Sequence, residues 1–278
     1  MSKNVHVVGP VFDHGLVKAM YYDRSTQWLY PDFCMVDPDG NVLWQTNALR
    51  LRGPDVEPGA EIGIVWGDSV VFCTYRRGWP EMLNDYSKSC TFLNGGIEGI
   101  DYVGILTRAI DFNARHRVAA NIIMPGWHPI GDNASFGADL EGALKQIPRA
   151  VLVTMPTSLN EDIANVDIGS QFNLDGGDDI GFHFYGSETY SLELQRQLVA
   201  HIRSRNAITT AVAQRTGTPL VDLFSALDSR GLTDFREDFF DISHPRPAAY
   251  PKIASKVWEV VGPILDAKSR NEPKHSLH

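Results

Sequence analysis

Glu61-Ile62-Gly63-Ile64-Val65-Trp66-Gly67-Asp68-Ser69 decides the reading of this chain. A nearly unbroken apolar run ends in a glycine, an aspartate and a serine. A strand with one wet face would alternate apolar and polar residues. This run does not, so it suits a strand covered on both faces, as in a parallel sheet. Cys90–Asn94, Val118–Met124, Ala150–Met155 and Pro219–Leu223 have the same character, rich in Val, Ile or Leu. Helical patterns lie between and after them. Ile100–Asn113 carries Val103, Leu106 and Ile110, and Thr189–Thr216 carries Leu194, Leu198 and Ile202. Pro247–Ala267 places Ile253, Val257, Val260 and Val261 along one face. Strands alternating with helices predict βαβ crossovers: an α/β/α three-layer sandwich around a mainly parallel sheet of about five strands.

Two regions fall outside this rhythm. Residues 1–58 hold Tyr21, Tyr22, Trp28, Tyr30 and the turn-like Pro38-Asp39-Gly40-Asn41, which suits a hairpin. They read as an N-terminal β-rich extension packed on a main domain of residues 59–267. Within that domain, residues 156–188 are polar and rich in Gly and Asp, the composition of a lid, a binding loop or an insertion. Residues 268–278 read as a flexible tail.

Composition narrows the function classes. The 278 residues are 43% hydrophobic and 21% charged, which excludes collagen-like, low-complexity and wholly disordered chains. Thirty-four Asp and Glu against 25 Lys and Arg give a net charge of −9, without the basic footprint of a nucleic-acid binder. Three cysteines, Cys34, Cys73 and Cys90, make no disulfide framework and fit a reducing compartment better. The N-terminus lacks a signal-peptide pattern, and no stretch approaches the roughly 18 apolar residues of a membrane span. The expectation is a cytoplasmic protein.

Two short segments carry chemistry. In an open parallel sheet, ligands bind beyond the carboxyl ends of the strands. Ser69 follows the first strand there, after a glycine that permits a sharp turn. The same Gly-Asp-Ser also serves as a plain turn and helix cap. Asp241-Ile242-Ser243-His244-Pro245 precedes the last helix. A carboxylate three residues from an imidazole can meet Nδ1, fix the tautomer and leave Nε2 as a base. The plainer alternative is a capping aspartate and a surface histidine.

Taken together, the order Ser69…Asp241…His244 resembles that of the GDSL-type lipase/esterases, or SGNH hydrolases. Asn94-Gly95-Gly96-Ile97-Glu98-Gly99 looks like the family's Asn-x-Gly-x-x-Gly block, and Thr46–Gly53 resembles a lead-in that some members place before the nucleophile. The landmarks cover residues 46–264. The resemblance implies the flavodoxin-like SGNH fold and a Ser69–Asp241–His244 triad. It also implies an oxyanion hole in which Ser69 and Gly96 offer backbone N–H groups. One block departs. Where the family shows Gly-x-Asn-Asp, this chain reads Gly126-Trp127-His128-Pro129, so His128 stands in the place of the side-chain donor. Its other reading is a pocket-wall residue. Asn133 lies nearby, but its spacing argues against that place.

The implied activity is hydrolysis of a carboxylic ester, an O-acetyl or short acyl group on a small molecule or carbohydrate. His244 would activate Ser69, Asp241 would orient His244, and an acyl-enzyme would pass its group to water. An acyltransferase would share that acyl-enzyme, and a non-catalytic binding protein on a degenerate scaffold would share the fold. A glycosidase ranks last, because no carboxylate pair is singled out by spacing. Trp127 and Asp68 are candidate pocket residues, whereas Trp66 and Trp79 read as core. His183 reads as a surface-loop histidine. The acidic Asp175–Asp179 lacks EF-hand spacing, and no HExxH or Cys/His cluster suggests zinc. No metal and no cofactor are expected, the oligomeric state stays open, and the partner is the ester substrate.

Overall fold

The structure is a computed structural model describing residues 4–7, 21–73, 77–129, 133–157, 192–226, 238–239 and 243–271. The chain opens with β1 (Asn4–Val7), β2 (Tyr22–Asp23), β3 (Trp28–Leu29), β4 (Phe33–Val36) and β5 (Val42–Gln45). β4 and β5 form the expected antiparallel hairpin around Pro38–Asn41, with Gly40 at φ 85° in the turn. β1 adds to β4 in parallel.

The central sheet holds β6 (Ile62–Trp66), β7 (Thr91–Asn94), β8 (Ala120–Ile123), β9 (Ala150–Val153) and β10 (Leu220–Val221). Its order is β10-β9-β8-β6-β7, with every pair parallel. The five apolar runs are thus the five strands. Numbered within the sheet, the order is 2-1-3-4-5, that of flavodoxin-like folds. Its switch point lies between the first and third strands of the sheet, here β6 and β8.

Helices cover both faces: α1 (Ser69–Phe72), α2 (Trp79–Met82), α3 (Tyr102–Asn113), α4 (Phe136–Leu144), α5 (Leu192–Thr216), α6 (Leu223–Ala226) and α7 (Tyr250–Asn271). The pleat sends alternate residues to opposite sides. Ile62, Ile64 and Trp66 pack with Ile105, Ala109 and Phe112 of α3, whereas Val65 packs with Ile253, Val257 and Val261 of α7. α4 runs through Phe136–Leu144, where the sequence reading placed no helix. α7 continues to Asn271, past the start of the expected tail.

The N-terminal segment shares the core of the first face. Tyr21, Trp28, Leu29, Phe33, Trp44 and Leu51 pack in one cluster with Ile64, Trp66 and Leu93 of the sheet. Each such buried side chain is worth roughly 1.5–3 kcal/mol relative to exposure. The expected boundary at 58/59 is therefore continuous in packing. Among the described residues no helix is long and apolar enough to cross a membrane.

Candidate active site

β6 ends at Trp66, and Gly67-Asp68 turns the chain into α1. The turn is tight: a Cβ on Gly67 would lie 2.3 Å from Val71 Cγ2 and 3.2 Å from Met124 O. Asp68 caps α1, its Oδ1 accepting the Val70 N–H at 3.0 Å. Ser69 therefore opens the helix at the carboxyl end of the sheet, where its own N–H has no intrahelical acceptor.

His244 arrives from the other end of the domain. Its loop is closed by a bridge between Phe239 and Pro245, with Arg246 N–H donating to Asp238 O at 2.7 Å. Arg246 Nε donates to Phe239 O, and Lys252 Nζ pairs with the buried Asp238 carboxylate at 3.0 Å. These contacts fix a nearly buried His244 with Nε2 at 2.7 Å from Ser69 Oγ. Its Nδ1 lies 3.5 Å from Ser243 Oγ. Asp241 lies outside the described residues, as do His183 and the Asp175–Asp179 cluster.

The loop after β8 forms the third wall. Met124 N–H donates to Trp66 O, and Gly126 turns at φ 75°, where a Cβ would lie 2.8 Å from Asp68 Oδ2. Trp127 is half-buried, its ring 4.2 Å from that of His128, and among the described residues its buried indole Nε1 has no hydrogen-bond partner. The His128 peptide to Pro129 is cis, and the His128 ring makes no hydrogen bond to the described residues. Trp66 and Trp79 are fully buried core residues. Asn133 Nδ2 donates to Ser204 Oγ at 3.0 Å.

Gly96 sits differently from expectation. Its N–H donates to Asn94 Oδ1 at 2.8 Å, and a Cβ there would meet Phe72 N at 2.2 Å. Its amide is thus engaged within its own loop, against the back of α1.

Electrostatically, Asp68 is the unusual member. Burial raises its carboxyl above the ordinary range, against the Val70 N–H and the neighbouring His128 and His244, which lower it. Among the described residues the buried Oδ2 has no hydrogen-bond partner. Burial also lowers His128 below 6.5, while Asp68 pulls the other way. The shift favours the neutral ring, which can donate from one nitrogen only.

Sequence reasoning missed the residues that hold these walls. His201 Nε2 donates to Trp127 O at 2.7 Å, and Arg205 Nη2 donates to Pro129 O at 3.3 Å. Asn206 exchanges two hydrogen bonds with the Met155 backbone. All three are buried on α5. Their signal was present: His201 and Arg205 lie i, i+4 beside the apolar stripe of Leu198 and Ile202, where a solvated face has no place. Among the described residues no His, Cys, Asp and Glu cluster is arranged to hold a metal.

No protein-family model matches the chain, and no curated protein is significantly similar in sequence. Solved structures are. One is a member of the lipolytic protein G-D-S-L family from Veillonella parvula, with 18% identity and TM-score 0.53. The match covers 73% of this chain and 99% of that one. A lipase/acylhydrolase from Enterococcus faecalis has 14% identity and TM-score 0.51, over 78% and 100% of the two chains. A catalytic mutant of an acetylxylan esterase from Geobacillus stearothermophilus has 14% identity and TM-score 0.51, over 74% and 96%. The chain has the α/β fold of these proteins.

Proposed function

We propose that this chain, which has the fold of the GDSL-type lipolytic proteins, is a serine esterase working through an acyl-enzyme. The observation that carries the reading is the 2.7 Å contact between Ser69 Oγ and His244 Nε2 at the carboxyl end of β6. A hydroxyl there, hydrogen-bonded to an imidazole, is the pairing that activates a serine. His244 takes the Ser69 proton as Oγ attacks the acyl carbonyl, then returns it to the leaving alcohol. Asp241 is the acid that orients His244. Water, activated by the same histidine, releases the acyl group.

The oxyanion needs donors aimed at its developing charge. With the Gly96 N–H engaged by Asn94, the Ser69 N–H and the His128 ring are the remaining candidates among the residues singled out. A neutral His128 supplies one hydrogen bond, as an Asn would.

For the substrate, an O-acetyl or short acyl ester on a small molecule or sugar is favoured, in keeping with the acetylxylan esterase among the similar folds. An acyltransferase would use the same acyl-enzyme with an alcohol in place of water. The reading includes a cytoplasmic setting.

The test is intact mass after exposure to a small fluorophosphonate, with native chain and Ser69→Ala side by side. A single adduct on the native chain, absent from the variant, is expected. A native chain that stays unmodified and fails to hydrolyse p-nitrophenyl acetate overturns the reading in favour of a binding protein.

A further inference from the structure

We propose that Arg52, a residue of the N-terminal segment, is a positioning residue for the nucleophile. It clamps the far end of α1 and, through Glu81 and Asn94, the loop beside it. The inference rests on the reading of Ser69 as nucleophile.

α1 is one turn long. Its Phe72 and Cys73 amides donate back to Asp68 and Ser69, and the chain leaves at Cys73 with φ 49°. A single turn has no stability of its own, and its last carbonyls have no intrahelical donor. Arg52 supplies one. It is fully buried, and Nη1 donates to Phe72 O at 2.5 Å and to Cys73 O at 2.9 Å. The guanidinium lies 4.7 Å over the Phe72 ring and 5.2 Å over Trp44. Nε and Nη2 meet Glu81 Oε1 at 3.1 and 3.0 Å.

The same knot reaches the next loop. Arg52 and Asn94 exchange both backbone N–H···O bonds at 2.9 Å. Asn94 Nδ2 donates to Phe72 O at 3.2 Å and lies 3.3 and 3.4 Å from the two Glu81 oxygens. Asn94 Oδ1 then accepts the Gly96 N–H. Glu81 Oε2 also caps α2 at the Gly78 N–H. One cation thus joins the N-terminal segment, α1, α2 and the loop after β7.

Ser69 sits one helical turn from Phe72, so tilting that end swings Oγ relative to His244. A displacement of about 1 Å at a reacting group costs on the order of a hundredfold in rate. The planar fork of arginine reaches two carbonyls and a carboxylate at once, which a lysine ammonium on its flexible stem does not reproduce.

The test compares native chain, R52K and the double variant R52M/E81Q. The double variant removes both charges and so avoids stranding a buried carboxylate. The readouts are melting temperature, kcat and KM for p-nitrophenyl acetate, fluorophosphonate labelling rate, and amide hydrogen exchange. Expected is that R52K melts within a few degrees of native, yet its kcat and labelling rate fall roughly 10- to 100-fold at constant KM. Exchange at residues 71–73 and at Gly96 should quicken at least about tenfold in both variants, with β8 and β9 still protected. A folded variant with native kcat and native exchange overturns the proposal. If the native chain neither labels nor hydrolyses ester, the nucleophile reading fails. Exchange then decides alone: selective loosening of α1 and Gly96 keeps the clamp, and unchanged exchange removes it.

Discussion

Ser69 Oγ and His244 Nε2 stand 2.7 Å apart although 175 positions separate them in the chain. Ser69 follows the central strand β6, and His244 leads into α7 on one face of the sheet. The contact exists only once β6 and α7 have packed together. If the pair acts as a unit, Ser69→Ala and His244→Ala each lower ester turnover by at least about a thousandfold. The double variant then loses no more than either single one. Initial rates on p-nitrophenyl acetate decide this, and losses that multiply would mean two independent roles.

His128 provides a second separation. As an oxyanion donor, its replacement by alanine lowers turnover roughly 100- to 1000-fold, while His128→Asn stays within about tenfold of native. Because burial pushes its pKa down from the ordinary histidine value, the native enzyme and His128→Asn should share one pH–rate profile above neutrality. Identical rates for native, Ala and Asn forms would return His128 to the pocket wall.

Asp68 and His128 load pH dependence with opposite signs. The folded-state pKa of Asp68 lies above 3.8, so its contribution to stability is present below 3.8 and is lost as pH rises through the folded value. That of His128 lies below 6.5, so its contribution is present above 6.5 and is lost as pH falls through the folded value. Asp68→Asn keeps the cap on Val70 and removes the first slope. Relative to native, the variant should gain stability as pH rises from 4 toward 8. Urea midpoints across that range check it, and a pH-independent difference would contradict it.

Two glycines should respond oppositely to alanine. At Gly126, φ is 75° and a Cβ would lie 2.8 Å from Asp68 Oδ2, so alanine should cost about 1–3 kcal/mol. At Gly142, within α4, a Cβ meets nothing within 4 Å. Alanine there should stabilise by about 0.5–1 kcal/mol. Urea denaturation measures both.

Much of this was legible before any coordinates. Ile62–Trp66 and its four companions announced a parallel sheet because burial on both faces removes polar positions from a strand. Ser69 and His244 were findable because a hydroxyl at a strand end and a histidine before a helix need only local sequence to be placed. The supports were harder. Arg52 looks in sequence like a solvated arginine among Leu51 and Gly53, and only the carbonyls of Phe72 and Cys73 explain its burial. The Gly96 N–H was assigned outward from its motif. The residue that captures it, Asn94, belongs to the same motif, and spacing carries no information about which way a loop amide faces. The helix at Phe136–Leu144 was obscured because Gly137 and Gly142 dilute its apolar stripe.

The indoles of Trp28 and Trp66 lie 6.3 Å apart at 85°, one in the N-terminal segment and one in the central strand. At that separation their strong far-ultraviolet transitions couple, so the far-ultraviolet circular dichroism of the folded chain carries a couplet belonging to neither ring alone. Docking of the N-terminal segment onto the sheet therefore has its own optical band. It can be followed in time without a label.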